Sequence, residues 1–347
     1  MEMVPSRDIV RAWGALLLGR RPALSIEITK ECPLRCPGCY AFSEGHVGDG
    51  VSLRQLHDLR GEELIAGVME LVHRLRPLHV SMVGGDPLVR YRELEALVPQ
   101  LLATGLFLQI VTSAFRPLPA AWIGLDNFEL VVSIDGLQPD HDVRRSPATY
   151  DRILKHIEGH SVVVHCTVTA RMVRQPGYLE SFVRQWAANS NVKKIWMSIF
   201  TPQRGDVLEE IPTAAERQLI IAELFRLRQL YPKLDMPKGL VEALEHPPAS
   251  PAECIFARAT TVISADLKSE IGPCQFGGDP DCSRCGCIAS MGLSAIGGHR
   301  LPGGLTAGAI FHASANLGDK IAARRRWREA ARAATRSHDE LTARRAS

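Results

Sequence analysis

The chain has 347 residues, with 41 Lys and Arg against 38 Asp and Glu, a formal charge of +3. Its 46% hydrophobic and 23% charged residues are the balance of a globular protein, long enough for one large domain or two modest ones. Long disorder and collagen-like sequence are excluded, and no apolar run reaches the roughly 18 residues of a membrane span. The N-terminus lacks an apolar signal core followed by small residues, so the sequence reads as cytoplasmic.

Residues 8–18 read as an amphipathic helix closed by Gly19, Arg20, Arg21 and Pro22. β-type runs follow at Leu24–Ile28, His79–Val83, Phe107–Thr112, Leu130–Ile134, Ser161–Val168 and Lys194–Phe200. Helical periodicity fills most of the links, at Gly61–Leu75, Tyr91–Thr104, Tyr150–Ile157 and Tyr178–Ala188. The link Ser113–Glu129 is short and holds Pro117 and Pro119, which argues against a helix there. Strands alternating with helices mean βαβ units and a parallel sheet. Six repeats suit a partial (β/α)6 barrel, with a doubly wound sheet as the alternative; in both, the loops after the strands' carboxyl ends carry the chemistry.

Thr213–Leu230 is a further helix, opened by a capping box in which Thr213 is answered by Glu216. Residues 245–251 (EHPPASP) have a linker's composition. The expected organisation is an N-terminal helix over 1–23, a barrel over 24–244, a cysteine-rich region over 245–319 and a basic tail over 320–347. That tail carries nine Lys and Arg against three Asp and Glu, which leaves the rest of the chain net negative. The body is therefore no nucleic-acid platform. The tail could lie on an anionic membrane, but a solvated terminal helix is the favoured reading.

The nine cysteines are clustered: Cys32, Cys36 and Cys39 near the start, a lone Cys166, then Cys254, Cys274, Cys282, Cys285 and Cys287. In a cytoplasmic chain of this size, such clustering points to metal or catalysis rather than disulfides. Residues 32–39 read Cys-Pro-Leu-Arg-Cys-Pro-Gly-Cys, directly after the first strand. Three thiolates in one loop can converge on a metal centre, and an iron–sulfur cluster normally takes four, so one iron stays open for another molecule. The competing reading is a zinc knuckle completed by His46.

This loop resembles the signature of the radical S-adenosylmethionine (SAM) superfamily, over roughly residues 22–200. The resemblance implies that Cys32, Cys36 and Cys39 hold a 4Fe–4S cluster whose open iron binds SAM. It also implies reductive cleavage of SAM to a 5′-deoxyadenosyl radical, which takes a hydrogen atom from the substrate. The family places an aromatic just before the third cysteine; this chain has Gly38 there and Tyr40 just after. The turn Gly84-Gly85-Asp86-Pro87 is similar to the family's Gly-Gly-Glu-Pro turn, which contacts the methionine part of SAM. Ser133, at the end of the fourth strand, matches a ribose-contacting position. Asp135 is a substrate-facing candidate or a turn cap.

Cys166 lies in the strand VVVHCTVT. Core packing is its ordinary role, and hydrogen donation to a substrate radical is the chemical one, open to it only if its face of the strand lines the barrel interior. The C-terminal cysteines resemble the auxiliary-cluster extensions called SPASM or Twitch domains, with a hairpin over Thr260–Ile271 turning at Ala265–Leu267. On that resemblance Cys254, Cys274, Cys282 and Cys285 hold a second 4Fe–4S cluster, with Cys287 a fifth candidate; a structural zinc ribbon is the alternative.

The expected function is a radical SAM enzyme acting on a small molecule, with an oxidative or epimerising outcome and a flavodoxin or ferredoxin as reductant. Only about 23 residues precede the first strand, which argues against a peptide-recognition domain and makes a ribosomal-peptide maturase the second choice. A non-catalytic iron–sulfur or zinc module is the alternative of another class.

Overall fold

The computed structural model describes residues 6–48, 50–147, 150–301 and 303–325. The basic tail beyond 325 lies outside the described residues. Among those described, no helix is long and apolar enough to cross a membrane.

Seven parallel strands form one open sheet among the described residues: β1 (Ala23–Glu27), β2 (His79–Val83), β3 (Phe107–Thr112), β4 (Phe128–Ser133), β5 (Val162–Val168), β6 (Val192–Ile199) and β7 (Thr260–Ile263). Their spatial order is β6-β5-β4-β3-β2-β1-β7. This is the partial barrel expected from the alternation, with one strand more than the six repeats. The 113–129 link forms only a 3-10 turn over Ala120–Trp122, as its prolines require. The helix Ala214–Leu230 opens on the expected box, with Thr213 Oγ1 accepting from Glu216 N at 3.2 Å and Glu216 Oε2 accepting from Thr213 N at 2.8 Å.

Register sorts the sheet into two faces, because side chains alternate along each strand. One row runs Ile26, Met82, Ile110, Leu130 and Val162 across five strands. It joins Leu64, Val68, Leu97, Leu101, Phe182 and Trp186 of the flanking helices in one buried core. The next row runs Ser25, Ser81, Gln109 and Glu129. Ser81 Oγ donates to Gln109 Oε1 and Gln109 Nε2 to Glu129 Oε2, both at 3.3 Å. The helix-covered face is thus hydrocarbon, while the interior face carries this polar row and, one step further along the strands, the apolar row Val111, Val131 and Val163.

β7 is the departure from the expected repeat count. Its hairpin is present, with Ser264 N donating to Ser269 O at 2.8 Å and Ile271 N to Val262 O at 2.9 Å. The turn is closed by Asp266, which accepts from Lys268 N and Ser269 N. Its first strand also pairs in parallel with β1, so the cysteine-rich region extends the barrel's own sheet.

Candidate functional site

The cysteine loop leaves β1 and crosses directly over the Gly84-Gly85 turn that leaves β2. Gly85 N donates to Thr29 O and Asp86 N to Glu31 O, each at 2.8 Å. A Cβ on Gly84 would lie 2.7 Å from Thr29 O, and one on Gly85 only 2.0 Å from Glu31 O. Both distances are far inside contact, so the paired glycines permit a close approach by the cysteine loop's own backbone. Asp86 completes the turn from within. Its buried carboxylate accepts from Leu88 N at 3.0 Å, Thr112 Oγ1 at 2.6 Å, and Ser113 N and Oγ at 2.8 and 2.5 Å. Every one of those partners belongs to the turn or to the end of β3. Asp86 therefore builds the platform under the cysteines rather than presenting a free carboxylate to a ligand.

The loop's base is fixed by charge as well. Thr29 Oγ1 donates to Asp58 Oδ2 at 2.9 Å, and Arg90 Nη2 reaches the same oxygen at 2.5 Å while its Nη1 lies 3.4 Å from Glu31. Cys32, Cys36 and Cys39 are each half-buried. Burial pushes the Cys32 thiol up to about 12 and Cys39 to about 11; it raises Cys36 too, against the pull of the Arg145 guanidinium. A buried thiolate needs a countercharge, which a bound iron core supplies, so the donor set fits an iron–sulfur cluster.

Asp135 lies behind Cys36. It is 2% exposed and pairs with Arg145 Nη2 at 2.9 Å and Arg144 Nε at 3.3 Å, and it accepts from Thr167 N at 2.9 Å. Burial works to raise its pKa, but the two arginines outweigh that and hold it at about 2. An ionised carboxylate committed to two guanidiniums is an orienting group, and it aims Arg145 at the cysteines. Arg144 and Arg145 are the residues that motif reading missed; they lie in no motif, and their link to the site is purely spatial.

Ser133 ends β4 and shares a register position with His165, on the interior face. His165 Nε2 lies 2.8 Å from Ser198 Oγ, and burial lowers its pKa to about 4, so it is neutral. Cys166 points the other way. It is 0% exposed, registers with Met197 and belongs to the core between sheet and helices. Val164 and Val168 do share its face, but that face is the helix-covered one. Cys166 is therefore a packing residue, which corrects its candidacy as a hydrogen donor.

Tyr40 packs edge-on against Phe276 at 5.2 Å and tilted against His46 at 5.7 Å. Its ring faces the C-terminal region. Gly38 has φ +63°, and a Cβ there would lie 2.6 Å from the Phe200 ring. An aromatic in place of Gly38 would collide with Phe200, so the departure from the family pattern has a steric cause. His46 is committed elsewhere, with Nε2 2.7 Å from Glu27 Oε1 and Nδ1 2.9 Å from Phe276 O. That removes it as the fourth ligand of a zinc knuckle. Among the described residues, no three His, Cys, Asp or Glu side chains are grouped to hold a single metal ion.

Two cavities adjoin these groups. One of about 590 Å³ opens between the cysteine loop and residues 201–206, and is lined by Cys36, Cys39, Tyr40, Phe42, Arg54 and Gln203, among others. The other is small and apolar-walled, and all five of Cys254, Cys274, Cys282, Cys285 and Cys287 line it, with Phe256 and Phe276 among the walls. Cys254 and Cys287 are almost fully buried, and burial pushes Cys274 up to about 12. Cys254 Sγ lies 3.0 Å from Ser290 Oγ, and Gln275 Nε2 donates to Cys287 Sγ at 3.2 Å. Five thiols around one small cavity exceed the four that a cluster takes.

Residues 26–178 match the family model "Radical SAM superfamily". Over 123 residues the chain is 31% identical to PqqA peptide cyclase of Rhizobium meliloti (strain 1021), a match covering 34% of this chain and 30% of that relative. Among solved structures, histidine-tagged anSMEcpe with bound AdoMet aligns with a TM-score of 0.53 at 15% identity, over 73% of this chain and 74% of that one. Streptococcus suis SuiB aligns at 0.51 and 14% identity, over 75% of this chain and 62% of that one. These two alignments carry the fold. Together with the cysteine loop on its glycine platform, the family match makes residues 26–178 of this chain a radical SAM domain, the domain of an enzyme family that works with a 4Fe–4S cluster and SAM.

Proposed function

We propose that this chain is a radical SAM enzyme that modifies a peptide and carries an auxiliary iron–sulfur cluster on its C-terminal cysteines. The observation that carries the reading is the open cavity of about 590 Å³ running up to Cys36 and Cys39, with the five-thiol cavity behind Phe276. The peptide replaces the small molecule expected from the sequence. The relative matched over 123 residues is named a peptide cyclase, and a cavity of about 590 Å³ beside Cys36 and Cys39 gives a substrate of that class room at the site. With cluster and SAM bound, the site supplies a one-electron cleavage of SAM that yields a 5′-deoxyadenosyl radical.

The chain's own residues do the rest. Cys32, Cys36 and Cys39 hold the SAM-binding cluster, and the Gly84-Gly85 turn fixes their loop. Arg145, oriented by Asp135, holds positive charge beside them. Ser133 and the neutral His165 present hydrogen-bonding groups inside the barrel. With Cys166 in the helix-side core, the protein-thiol route to a redox-neutral product has no donor at that position, which favours net oxidation through the auxiliary cluster. A flavodoxin- or ferredoxin-type protein is the expected electron source.

The test is anaerobic reconstitution with iron and sulfide, then SAM and dithionite, with and without peptides encoded beside the gene. Release of 5′-deoxyadenosine with a mass change on one peptide is the expected result. SAM cleavage coupled only to a small metabolite would return the substrate reading to its first form, and no cleavage at all would remove the enzyme reading.

A further inference from the structure

The two cysteine regions meet through a buried polar network. Glu27 closes β1 on the interior face, and its side chain is 1% exposed; that of His46 is 0% exposed. His46 Nε2 lies 2.7 Å from Glu27 Oε1, and Ser264 Oγ, just past β7, donates to Glu27 Oε2 at 2.8 Å. His46 Nδ1 donates to the carbonyl of Phe276 at 2.9 Å, since a carbonyl can only accept. The backbones touch as well: a Cβ on Gly277 would lie 2.0 Å from His46 O. Tyr40, next to Cys39, sits edge-on to Phe276, two residues after Cys274.

These contacts join segments more than 200 residues apart in the chain, and they do so beside both thiol sets. Burying an imidazole and a carboxylate costs several kcal/mol, and apolar side chains of the same volume would hold two elements together at least as well. What the polar pair adds is direction. Each bond of the network fixes one backbone segment at one distance from Glu27.

We propose that His46 is a positioning residue that locks the Cys274 loop to the Cys39 loop, and so sets the separation of the two iron–sulfur sites. The proposal rests on the two-cluster reading of the C-terminal cysteines. Electron exchange between two redox centres depends on that separation.

The experiment compares reconstituted wild type with His46→Phe, which keeps the ring volume and removes both bonds. Ser264→Ala removes one bond to Glu27, and His46→Gln can still donate to the Phe276 carbonyl. Amide exchange over residues 274–278 should quicken by about tenfold or more in His46→Phe. The dipolar coupling between the two reduced centres should report a broadened separation, with His46→Gln recovering part of both effects. Wild-type exchange and a wild-type separation in His46→Phe would overturn the proposal. Should that variant not fold, His46→Leu, which also removes both bonds, takes its place, and the same unchanged pair of readings there would overturn the proposal. Ser264→Ala, which leaves both His46 bonds in place, should change either reading less. Iron content separates the two ideas: about four irons in wild type would end the two-cluster reading, while amide exchange would still report on the lock.

Discussion

The two cysteine regions solve opposite problems. Cys32, Cys36 and Cys39 span eight consecutive residues and stay half-buried, with Cys36 and Cys39 lining a cavity of about 590 Å³ and Arg145 beside Cys36. Cys254, Cys274 and the run Cys282, Cys285 and Cys287 are spread over 34 residues and close around a small apolar cavity, with Arg217 donating to the carbonyls of Arg284 and Cys285. A local loop on a rigid turn leaves one side free for a ligand. A convergent set of thiols leaves none free, which suits electron storage or structure. A single short loop thus goes with access, and a set gathered from three separate segments goes with enclosure.

The largest effects should separate the regions by function. Replacing Cys32, Cys36 and Cys39 with alanine should abolish 5′-deoxyadenosine release. Replacing Cys254, Cys274, Cys282 and Cys285 should leave SAM cleavage measurable while product formation is lost. Equal loss of cleavage in both variants would erase the distinction.

Gly85→Ala comes next, because its methyl would lie 2.0 Å from Glu31 O. The cysteine loop must lift off the turn, so the iron held at the front site should fall well below half while the C-terminal cluster reconstitutes normally. Retention of both clusters would show that the platform is dispensable.

Asp135→Asn removes the buried carboxylate shared by the partly buried Arg144 and Arg145, leaving Arg144 its Glu210 pair. Removing one partner of a buried ion pair costs roughly 3–5 kcal/mol. Denaturant titration should show that loss, and SAM binding should weaken. Unchanged SAM affinity would remove Arg145 from the site.

Acid should act through the interior histidines. Burial lowers His165 and His141 from an ordinary 6.5 to about 4 in the folded chain. The unfolded chain therefore takes up protons first, and stability should fall as pH drops from about 6.5 towards 4, by up to about 1.4 kcal/mol per group per unit. His46 opposes this. Burial lowers its pKa, but the bond to Glu27 outweighs that and the net shift is upward, so its contribution is present below 6.5 and fades as pH rises through its folded value. Urea midpoints at pH 7.5, 6 and 5 test the balance, and a midpoint rising with acid would give it the wrong sign.

Cys166→Ala should have the smallest effect, a loss of about 1–2 kcal/mol from a small cavity with product unchanged. Altered product with continued SAM cleavage would reopen its chemical role.

The six barrel strands were readable from the sequence to within about two residues, because buried β-branched runs between amphipathic helices leave few alternatives. The cysteine loop, the glycine turn, the capping box at Thr213 and the hairpin turn at Ala265–Leu267 were legible for the same local reason. What stayed hidden is long-range. Nothing in Thr260–Ile263 says that its partner is β1, and nothing near Arg144 or Arg145 points to Cys36. The facing of Cys166 was half legible. Alternation groups it with Val164 and Val168, but in a parallel strand apolar on both sides the sequence does not say which face meets the helices. His46 was visible as a possible ligand, and only the fold shows its nitrogens spent on Glu27 and Phe276.

Metal analysis of anaerobically reconstituted wild type tests the central claim most directly, since both cysteine regions must load for the comparison to stand. The account predicts about eight irons and eight sulfides per chain, falling to about four when Cys32, Cys36 and Cys39 are replaced. Four irons together with one zinc would contradict it, making the C-terminal cysteines a structural ribbon and leaving the enzyme with a single cluster.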